Sequence, residues 1–421
     1  MTDLRAKRTV LAALAREPDF SGVAGLPDLR GRAGREFTLW LDRSGLALAF
    51  FGGIQRYGAA ARLTAEWRTA LSERLARNVE RTRDILAEAQ RILSSFRTFG
   101  VTAAAIKGFT LCPDFCEDLH FRHQVDLDFL TAPKSVAVAA QALRSCGYET
   151  RCLNESGETC FLTHSQHIPS VRDDLYAPQH QRQVDLHVSV CEACRWLPID
   201  APQDCLEHAE IQSSSGVIYL GLTLEDKFLL QILHAFRHSF RSWVRISWLL
   251  EIAHCCEKHA QNDDLWRRVI ERAGSGRLTK SIFAFVLGLM ERLFCSPAPR
   301  ALQPWIADAM TPSLRAWLDH FGVDWAVSDW PGSLNNLFLT AEFILDADLR
   351  KEYWRSRLLP RKTQTSLGTV AVANRKQFFL LQAARVHYLS QRAAVHLKDI
   401  VALPWQQLRW KRVLGESRGS V

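Results

Sequence analysis

The chain has 421 residues, of which 47% are hydrophobic and 23% are charged, a balance typical of a globular protein with two or three domains. Its formal net charge of +8 favours anionic partners such as nucleotides or nucleic acid. No dense lysine or arginine run is present, so we predict no specific nucleic-acid interface.

Apolar segments and cysteines bear on the compartment of the protein. The longest apolar runs, at 46–54 and 281–290, are too short to cross a bilayer, and the first residues do not resemble a secretory signal. We therefore predict a cytoplasmic protein without a membrane partner. The 11 cysteines are scattered, and Cys191 and Cys194 form one CxxC pair without the second pair that a structural zinc site needs.

Residues 1–95 are predicted to form an N-terminal helical region. Between 65 and 96, leucine, isoleucine and valine recur at helical spacing, while arginine and glutamate fill the other faces. One stripe of this helix is therefore expected to be buried.

Residues 96–192 are predicted to form an α/β core. The segment 101–108 has the composition of a short buried strand, and 108–120 starts a helix whose extent Pro113 limits. A helix is expected over 131–147, ending at a glycine. Three strand candidates follow, at 148–153, 158–168 and 181–190.

Residues 193–421 are predicted to form a C-terminal helical region. Amphipathic patterns of helical period occur at 222–240, 242–260, 265–274 and 280–294. The proline-rich segment 296–304 is predicted to be a linker, and the polar, basic segment 355–369 an exposed loop.

The run VDLDFL, at 125–130, alternates apolar and acidic side chains with the period of a strand. It places Asp126 and Asp128 on one face, about 7 Å apart by strand geometry, where their charges repel unless water or a cation relieves them. Two interpretations are open from spacing alone: a solvated outer face, or a platform for a divalent metal.

A second strand of the same design occurs at 181–190. Val184 and Leu186 form its apolar face, and Asp185 and His187 share the polar face. Two such strands in one sheet would bring Asp185 to the aspartate pair. Three carboxylates on one sheet face suit one or two Mg²⁺ ions, with Mn²⁺ as an alternative. His167, in the preceding strand candidate, is expected near this site in a structural role.

Shortly before the aspartates lies the sequence IKG. A strand-to-helix turn at Gly108 would let backbone amides approach a phosphate, and Lys107 would add a positive charge. The other interpretation is a plain turn between elements. Arg122 has two interpretations as well, a triphosphate contact or a structural clamp on an acidic side chain.

The segment 106–130 resembles the uncharacterised nucleotidyltransferase family of the DNA polymerase β-type superfamily. That family typically shows a Lys-Gly turn, then an arginine four residues before a D-h-D strand, where h is hydrophobic. A later DLHW-like strand is similar to Asp185–His187, with Val188 where tryptophan is usual. An H-x-x-x-H helix is similar to His234 and His238, and a segment ending in an acid is loosely similar to ISWLLE, with Glu251 at the acid position.

The resemblance implies a fold and a reaction. The fold is α+β: a polymerase-β-type mixed sheet with flanking helices, between the N- and C-terminal helical regions. The reaction is transfer of a nucleoside monophosphate from an NTP such as ATP to an acceptor hydroxyl, with pyrophosphate as the leaving group. This chain departs from the wider superfamily at the turn, where Lys107–Gly108 replaces a Gly-Ser pair.

The resemblance also implies roles for individual residues. Asp126, Asp128 and Asp185 would hold magnesium, and Asp185 is the candidate base for the acceptor proton. The nucleotide-binding candidates are Lys107, Gly108, Arg122, His187, His234 and His238. For the two histidines of the helix, ordinary packing is the other interpretation, since no adjacent glutamate completes a zinc-protease motif.

The acceptor stays open at this point. A small molecule, either a sugar or a natural-product-like compound, is the first expectation. A hydroxyl of a partner protein, as in toxin-like enzymes, would use the same site. A non-catalytic nucleotide-binding module, and a helical nucleic-acid-binding protein whose acidic strand has no function, are the remaining alternatives.

Overall fold

A mixed β-sheet forms the centre of the protein. The computed structural model describes residues 4–153, 159–163, 175–177, 182–191, 196–241, 243–329, 333–358 and 375–419. The strands found within these ranges are β1 (Ala103–Ile106), β2 (Asp126–Thr131), β3 (Tyr148–Leu153), β4 (Thr159–Thr163), β5 (Gln183–His187), β6 (Glu210–Ser214) and β7 (Val217–Gly221). They make one sheet in the order β3-β4-β5-β2-β1-β7-β6.

Helices precede, interrupt and follow the strands. Those before β1 are α1 (Leu4–Ala13), α2 (Arg32–Ser44), α3 (Ala47–Arg56) and α4 (Ala65–Thr98); α5 (Val136–Ser145) follows β2. Those after β7 are α6 (Leu224–Arg241), α7 (Ile246–Lys258), α8 (Asp263–Ala273), α9 (Arg277–Phe294), α10 (Gln303–Ile306), α11 (Pro312–Trp317), α12 (Val323–Ala326), α13 (Thr340–Phe343), α14 (Ala347–Leu358) and α15 (Arg375–Gly419). The predicted α+β fold, a mixed sheet between two helical regions, is confirmed.

The pairing of β2 with β5 determines where the acidic residues lie. These strands are parallel, with Asp128 opposite Asp185, while β1 pairs antiparallel to β2 and parallel to β7. The apolar face of β2 and β5 packs under α4 and α5 in a buried cluster, in which Phe96 meets Phe129 edge to face at 5.2 Å between ring centroids. Because side chains alternate along a strand, burying that face turns the acidic residues to the other one.

A second hydrophobic core joins the two ends of the chain. It contains α1 to α3 and the first turns of α4 together with α6 to α9, and the Arg16 amide donates to the Phe294 carbonyl oxygen at 2.9 Å. The N-terminal helices therefore pack against the C-terminal helices.

The structure corrects three details of the sequence prediction. The helix expected over 108–120 is replaced by two short 3₁₀ turns, Gly108–Leu111 and Leu119–Phe121, because Pro113 cannot continue a helix. The hairpin of β6 and β7 was missed, since helices were expected to resume directly after Cys191. Residues 355–358, predicted to begin an exposed loop, form the last turn of α14 instead. His167, Cys194 and residues 359–369 of the predicted loop lie outside the described residues.

Candidate metal and nucleotide site

Three carboxylates meet where β2 and β5 lie side by side. One ligand oxygen from each of Asp126, Asp128 and Asp185 lies within 4.8 Å of the other two. Asp128 is buried and the other two are half-buried. The parallel register produces this cluster, because it sets Asp128 beside Asp185 and leaves Asp126 two residues back on the same face. The predicted convergence of the two acidic strands is present in the structure.

Asp128 is held as an anion by two neighbouring side chains. Lys107 Nζ lies 3.0 Å from its Oδ1, and His187 Nε2 lies 2.8 Å from the same oxygen. Burial would raise the pKa of Asp128, but Lys107 and His187 outweigh it and lower the pKa to about 2. The carboxylate is therefore charged throughout the neutral range.

The pKa of Asp126 is shifted in the opposite direction to that of Asp128. Burial, together with the charges of Asp128 and Asp185, raises the pKa of its carboxyl to about 7. Asp185 Oδ1 accepts a hydrogen bond of 2.6 Å from Gln183 Nε2, which fixes its orientation. Asp126 is therefore the carboxyl of the cluster that most readily holds a proton when no cation is bound.

These residues fit a hard divalent cation. All three donors are carboxylates, the ligand type that Mg²⁺ and Mn²⁺ prefer over nitrogen or sulfur. The raised pKa of Asp126 shows that a positive charge at the cluster would be stabilising there. Both hydrogen bonds to Asp128 fall on Oδ1, and among the described residues none is made to Oδ2, so that oxygen remains available as a ligand.

Comparison with known protein families matches residues 33–294 to a family described as uncharacterised nucleotidyltransferase. The match covers more than half of the 421 residues. This chain belongs to the uncharacterised nucleotidyltransferase family. No curated protein and no solved structure matches the chain. Across the part of the chain that the structure describes, no helix has the length and apolar character needed to cross a membrane.

In this nucleotidyltransferase, the Lys107–Gly108 turn is shaped by close packing. Both residues have positive φ, 57° for Lys107 and 52° for Gly108. A Cβ on Gly108 would lie 2.2 Å from Gln124 Nε2, so a larger residue there would force the Gln124 side chain to shift. Gln124 Nε2 in turn donates to the Asp126 carbonyl oxygen at 2.7 Å. The turn therefore fits against the start of β2, and it directs Lys107 to Asp128.

Arg122 forms a buried ion pair with Glu251, which lies 129 residues later in the chain. Its Nε donates to Glu251 Oε1 at 2.9 Å, and Gln231 Nε2 donates to Glu251 Oε2 at 3.2 Å. This network joins the segment before β2 to α6 and α7. Of the two interpretations of Arg122, this arrangement favours the structural clamp, with Glu251 as the acid it binds.

His234 and His238 lie on α6 against Trp248 of α7. The two imidazoles are 4.7 Å apart between ring centroids, and they lie 4.4 Å and 4.7 Å from the Trp248 ring. In the described parts of the chain, the acidic triad is the one His/Cys/Asp/Glu group with metal-binding geometry, so no second metal cluster involves these histidines. Their role in nucleotide binding stays a prediction.

Sequence reasoning missed a cationic cluster beside Asp126. Arg81 is buried and its Nε donates to the Gln124 carbonyl oxygen at 3.1 Å. Arg245 Nη2 donates to His123 Nδ1 at 2.9 Å, and His123 Nε2 lies 2.7 Å from the Leu175 carbonyl oxygen. Burial, then the charge of Arg245, lowers the pKa of His123 well below its usual value, so this ring is neutral. These contacts fix the segment 122–126.

One signal in the sequence points to part of this cluster. Asn78, Arg81 and Ile85 follow each other at helical spacing in α4, and all three are buried. A polar residue in line with a helix's apolar stripe marks a buried hydrogen-bonding site. No comparable pattern marks His123 or Arg245.

Proposed function

We propose that this protein transfers a nucleoside monophosphate from a magnesium-bound NTP to a hydroxyl group of a small-molecule acceptor, releasing pyrophosphate. The observation that carries the proposal is the convergence of Asp126, Asp128 and Asp185, with oxygens within 4.8 Å, in a chain of the nucleotidyltransferase family. We further propose that 96–192 is the catalytic core, between helical regions 1–95 and 193–421.

In this proposal Asp126, Asp128 and Asp185 hold the metal. Magnesium, when bound, supplies positive charge that neutralises the triphosphate and stabilises the departing pyrophosphate. The three aspartates contribute through their positions and charges, because catalysis of phosphoryl transfer depends almost entirely on positioning and electrostatic stabilisation. Lys107 and His187 keep Asp128 ionised and aligned, so both are positioning residues in addition to their predicted nucleotide contacts.

Asp185 is suited to take the acceptor's proton. It is half-buried, and Gln183 Nε2 donates to its Oδ1 at 2.6 Å. As the acceptor oxygen attacks the α-phosphorus, its proton would move to the Asp185 carboxylate. The bond from the α-phosphorus to the bridging oxygen breaks, and pyrophosphate leaves.

A cavity beside the triad supports a small acceptor. Lys107 and His187, the two partners of Asp128, line it. Val190, Leu197 and Leu233 make apolar walls. Apolar walls favour a natural-product-like acceptor over a sugar.

Calorimetry tests the metal and nucleotide part of the proposal. ATP, GTP, CTP and UTP are titrated with and without Mg²⁺ into the wild type and into Asp126→Asn and Asp128→Asn. We expect binding that requires Mg²⁺ and that both variants lose. Glu73→Gln, on the exposed face of α4, is the matched control and should bind like the wild type.

The preferred NTP then enters an acceptor screen read by mass spectrometry. An acceptor heavier by one nucleotidyl group (a nucleoside monophosphate minus water), formed by the wild type and not by Asp185→Asn, supports the reaction. Labelling of a protein would instead identify the protein-modifying alternative. Mg-dependent binding without transfer to any class of acceptor would favour a non-catalytic nucleotide-binding module. Failure of folded wild type to bind any Mg-NTP contradicts the proposal.

A further inference from the structure

The helix α15 has apolar side chains on two opposite faces. Leu403, Trp410 and Val413 are buried, and the Trp410 ring stacks on Phe338 at 6.0 Å between centroids. A second set of apolar side chains is exposed by 59–75%. This set, here called the outer stripe, consists of Leu397, Val401, Trp405 and Leu408.

Helical geometry places the outer stripe away from the core. Its members are spaced by four, four and three residues, so they lie along one side of the helix. At about 100° per residue, Trp405 lies about 200° around the axis from Leu403. The stripe is therefore a continuous apolar surface opposite the side that packs on the protein.

Charge is concentrated on the same helix. Residues 375–419 contain nine lysines and arginines against two acidic residues, so they carry +7 of the chain's net charge of +8. Lys398, Lys411 and Arg412 are exposed and follow members of the stripe by one to four residues. The outer stripe is thus bordered by cations, and a partner that covers it must be apolar and anionic together.

Among the occupants of such a surface, a lipid bilayer matches both properties. A second copy of the chain would bring one +7 helix against another. A nucleic acid would engage the cations but leave the four apolar side chains uncovered. The interface of an anionic bilayer accepts tryptophan and aliphatic side chains among its headgroups, and its lipids attract the bordering lysines and arginines.

We propose that the outer stripe of α15 docks the protein on the surface of an anionic membrane. The helix would lie in the plane of the interface, with Trp405 at headgroup depth. This contact is peripheral and needs no spanning segment, so it revises the sequence-based expectation of a protein without a membrane partner. It is independent of the nucleotidyl-transfer proposal, because none of its residues belongs to the acidic triad or the cavity.

Co-sedimentation of the full chain with vesicles tests the proposal. One set of vesicles is phosphatidylcholine, and the other contains phosphatidylglycerol at about one part in four, which supplies the anionic surface. We expect binding to the second set only, weakened by salt. Val401→Gln combined with Trp405→Gln should lower the partition coefficient at least about tenfold. Lys411→Gln combined with Arg412→Gln should lower it by a similar factor.

A matched control removes apolar surface elsewhere. Ile211 and Ile218, on the β6–β7 hairpin, are 80% and 62% exposed, and their double substitution by glutamine should leave vesicle binding unchanged. Circular dichroism melting and Mg-NTP titration establish that each variant is folded. The stripe variant should match the wild type in both measurements.

Four results would overturn the proposal. The first is a wild type that does not bind phosphatidylglycerol vesicles. The second is vesicle binding that the stripe variant retains, or that the hairpin control loses equally. The third is a concentration-dependent dimer in sedimentation velocity that the stripe substitutions abolish, which would assign the stripe to a second copy. The fourth is RNA or DNA binding that the stripe substitutions weaken while vesicle binding is unaffected.

Discussion

Replacing Arg122 with methionine removes one half of a buried ion pair. It also distinguishes the two interpretations of Arg122, a structural clamp on Glu251 or a contact to the triphosphate. The side chains of Arg122 and Glu251 are 12% and 8% exposed, and their Nε and Oε1 atoms are 2.9 Å apart. At an effective dielectric constant of about 20, the attraction at this distance is about 6 kcal/mol before the cost of desolvation. Losing Arg122 alone leaves Glu251 charged and buried, so Arg122→Met should cost about 3–5 kcal/mol of folding stability.

The second half of the experiment is the paired substitution. Glu251→Gln alone should also cost several kcal/mol, since it leaves Arg122 buried without a charge partner. Arg122→Met combined with Glu251→Gln removes both charges, so it should be less destabilising than the sum of the two single variants. Urea and thermal unfolding of the wild type, both single variants and the double variant give this coupling energy.

Nucleotide titration of the double variant completes the assay. If Arg122 acts as a structural clamp, the folded double variant should bind Mg-NTP within about twofold of the wild type, because the triad is untouched. Additive stability losses would refute the ion-pair reasoning. A double variant that keeps its stability but loses affinity more than about tenfold would show that Arg122 contacts the triphosphate.

Three further predictions concern the site. Gly108→Ala should lower stability by about 1–3 kcal/mol in thermal unfolding, because φ is +52° and the new Cβ would meet Gln124; unchanged stability contradicts this. Mg²⁺ should raise the melting temperature more at pH 8 than at pH 6. The pKa of Asp126 is about 7 in the folded protein against 3.8 ordinarily, so its charge costs stability as pH rises through this window and bound metal offsets that cost. An equal Mg²⁺ effect at both pH values would contradict the raised pKa. His187→Ala should weaken Mg²⁺ binding by about tenfold or more, measured by calorimetry, since Asp128 loses a charge-assisted hydrogen bond worth about 1.5–3 kcal/mol.

The alternation of apolar and acidic residues in the sequence was enough to predict the three carboxylates of the site. Alternation in 125–130 and 181–190 predicted two strands with acids on one face, and the sheet brings those acids together. The ion pair of Arg122 with Glu251 could not be predicted in this way, because the two residues are 129 positions apart and no local pattern links them. The β6–β7 hairpin was missed because neither strand alternates apolar and polar residues: β6 is mostly exposed, and β7 is apolar at successive positions. Local patterns thus identify faces, while long-range pairs depend on how the elements pack.

The parallel pairing of β2 with β5 has a consequence for how the site comes into being. A β2–β5 contact cannot be made by a hairpin, because the chain must first cross over through α5, β3 and β4, and His187 reaches Asp128 across 59 positions. Contacts between residues so far apart in sequence form slowly, because the chain loses the entropy of closing the intervening loop before the contacts can stabilise it. Neither strand alone contains a cation site, so a nascent or truncated chain that ends before residue 185 has two of the three ligands. Metal binding by all three carboxylates therefore reports that β5 has paired with β2.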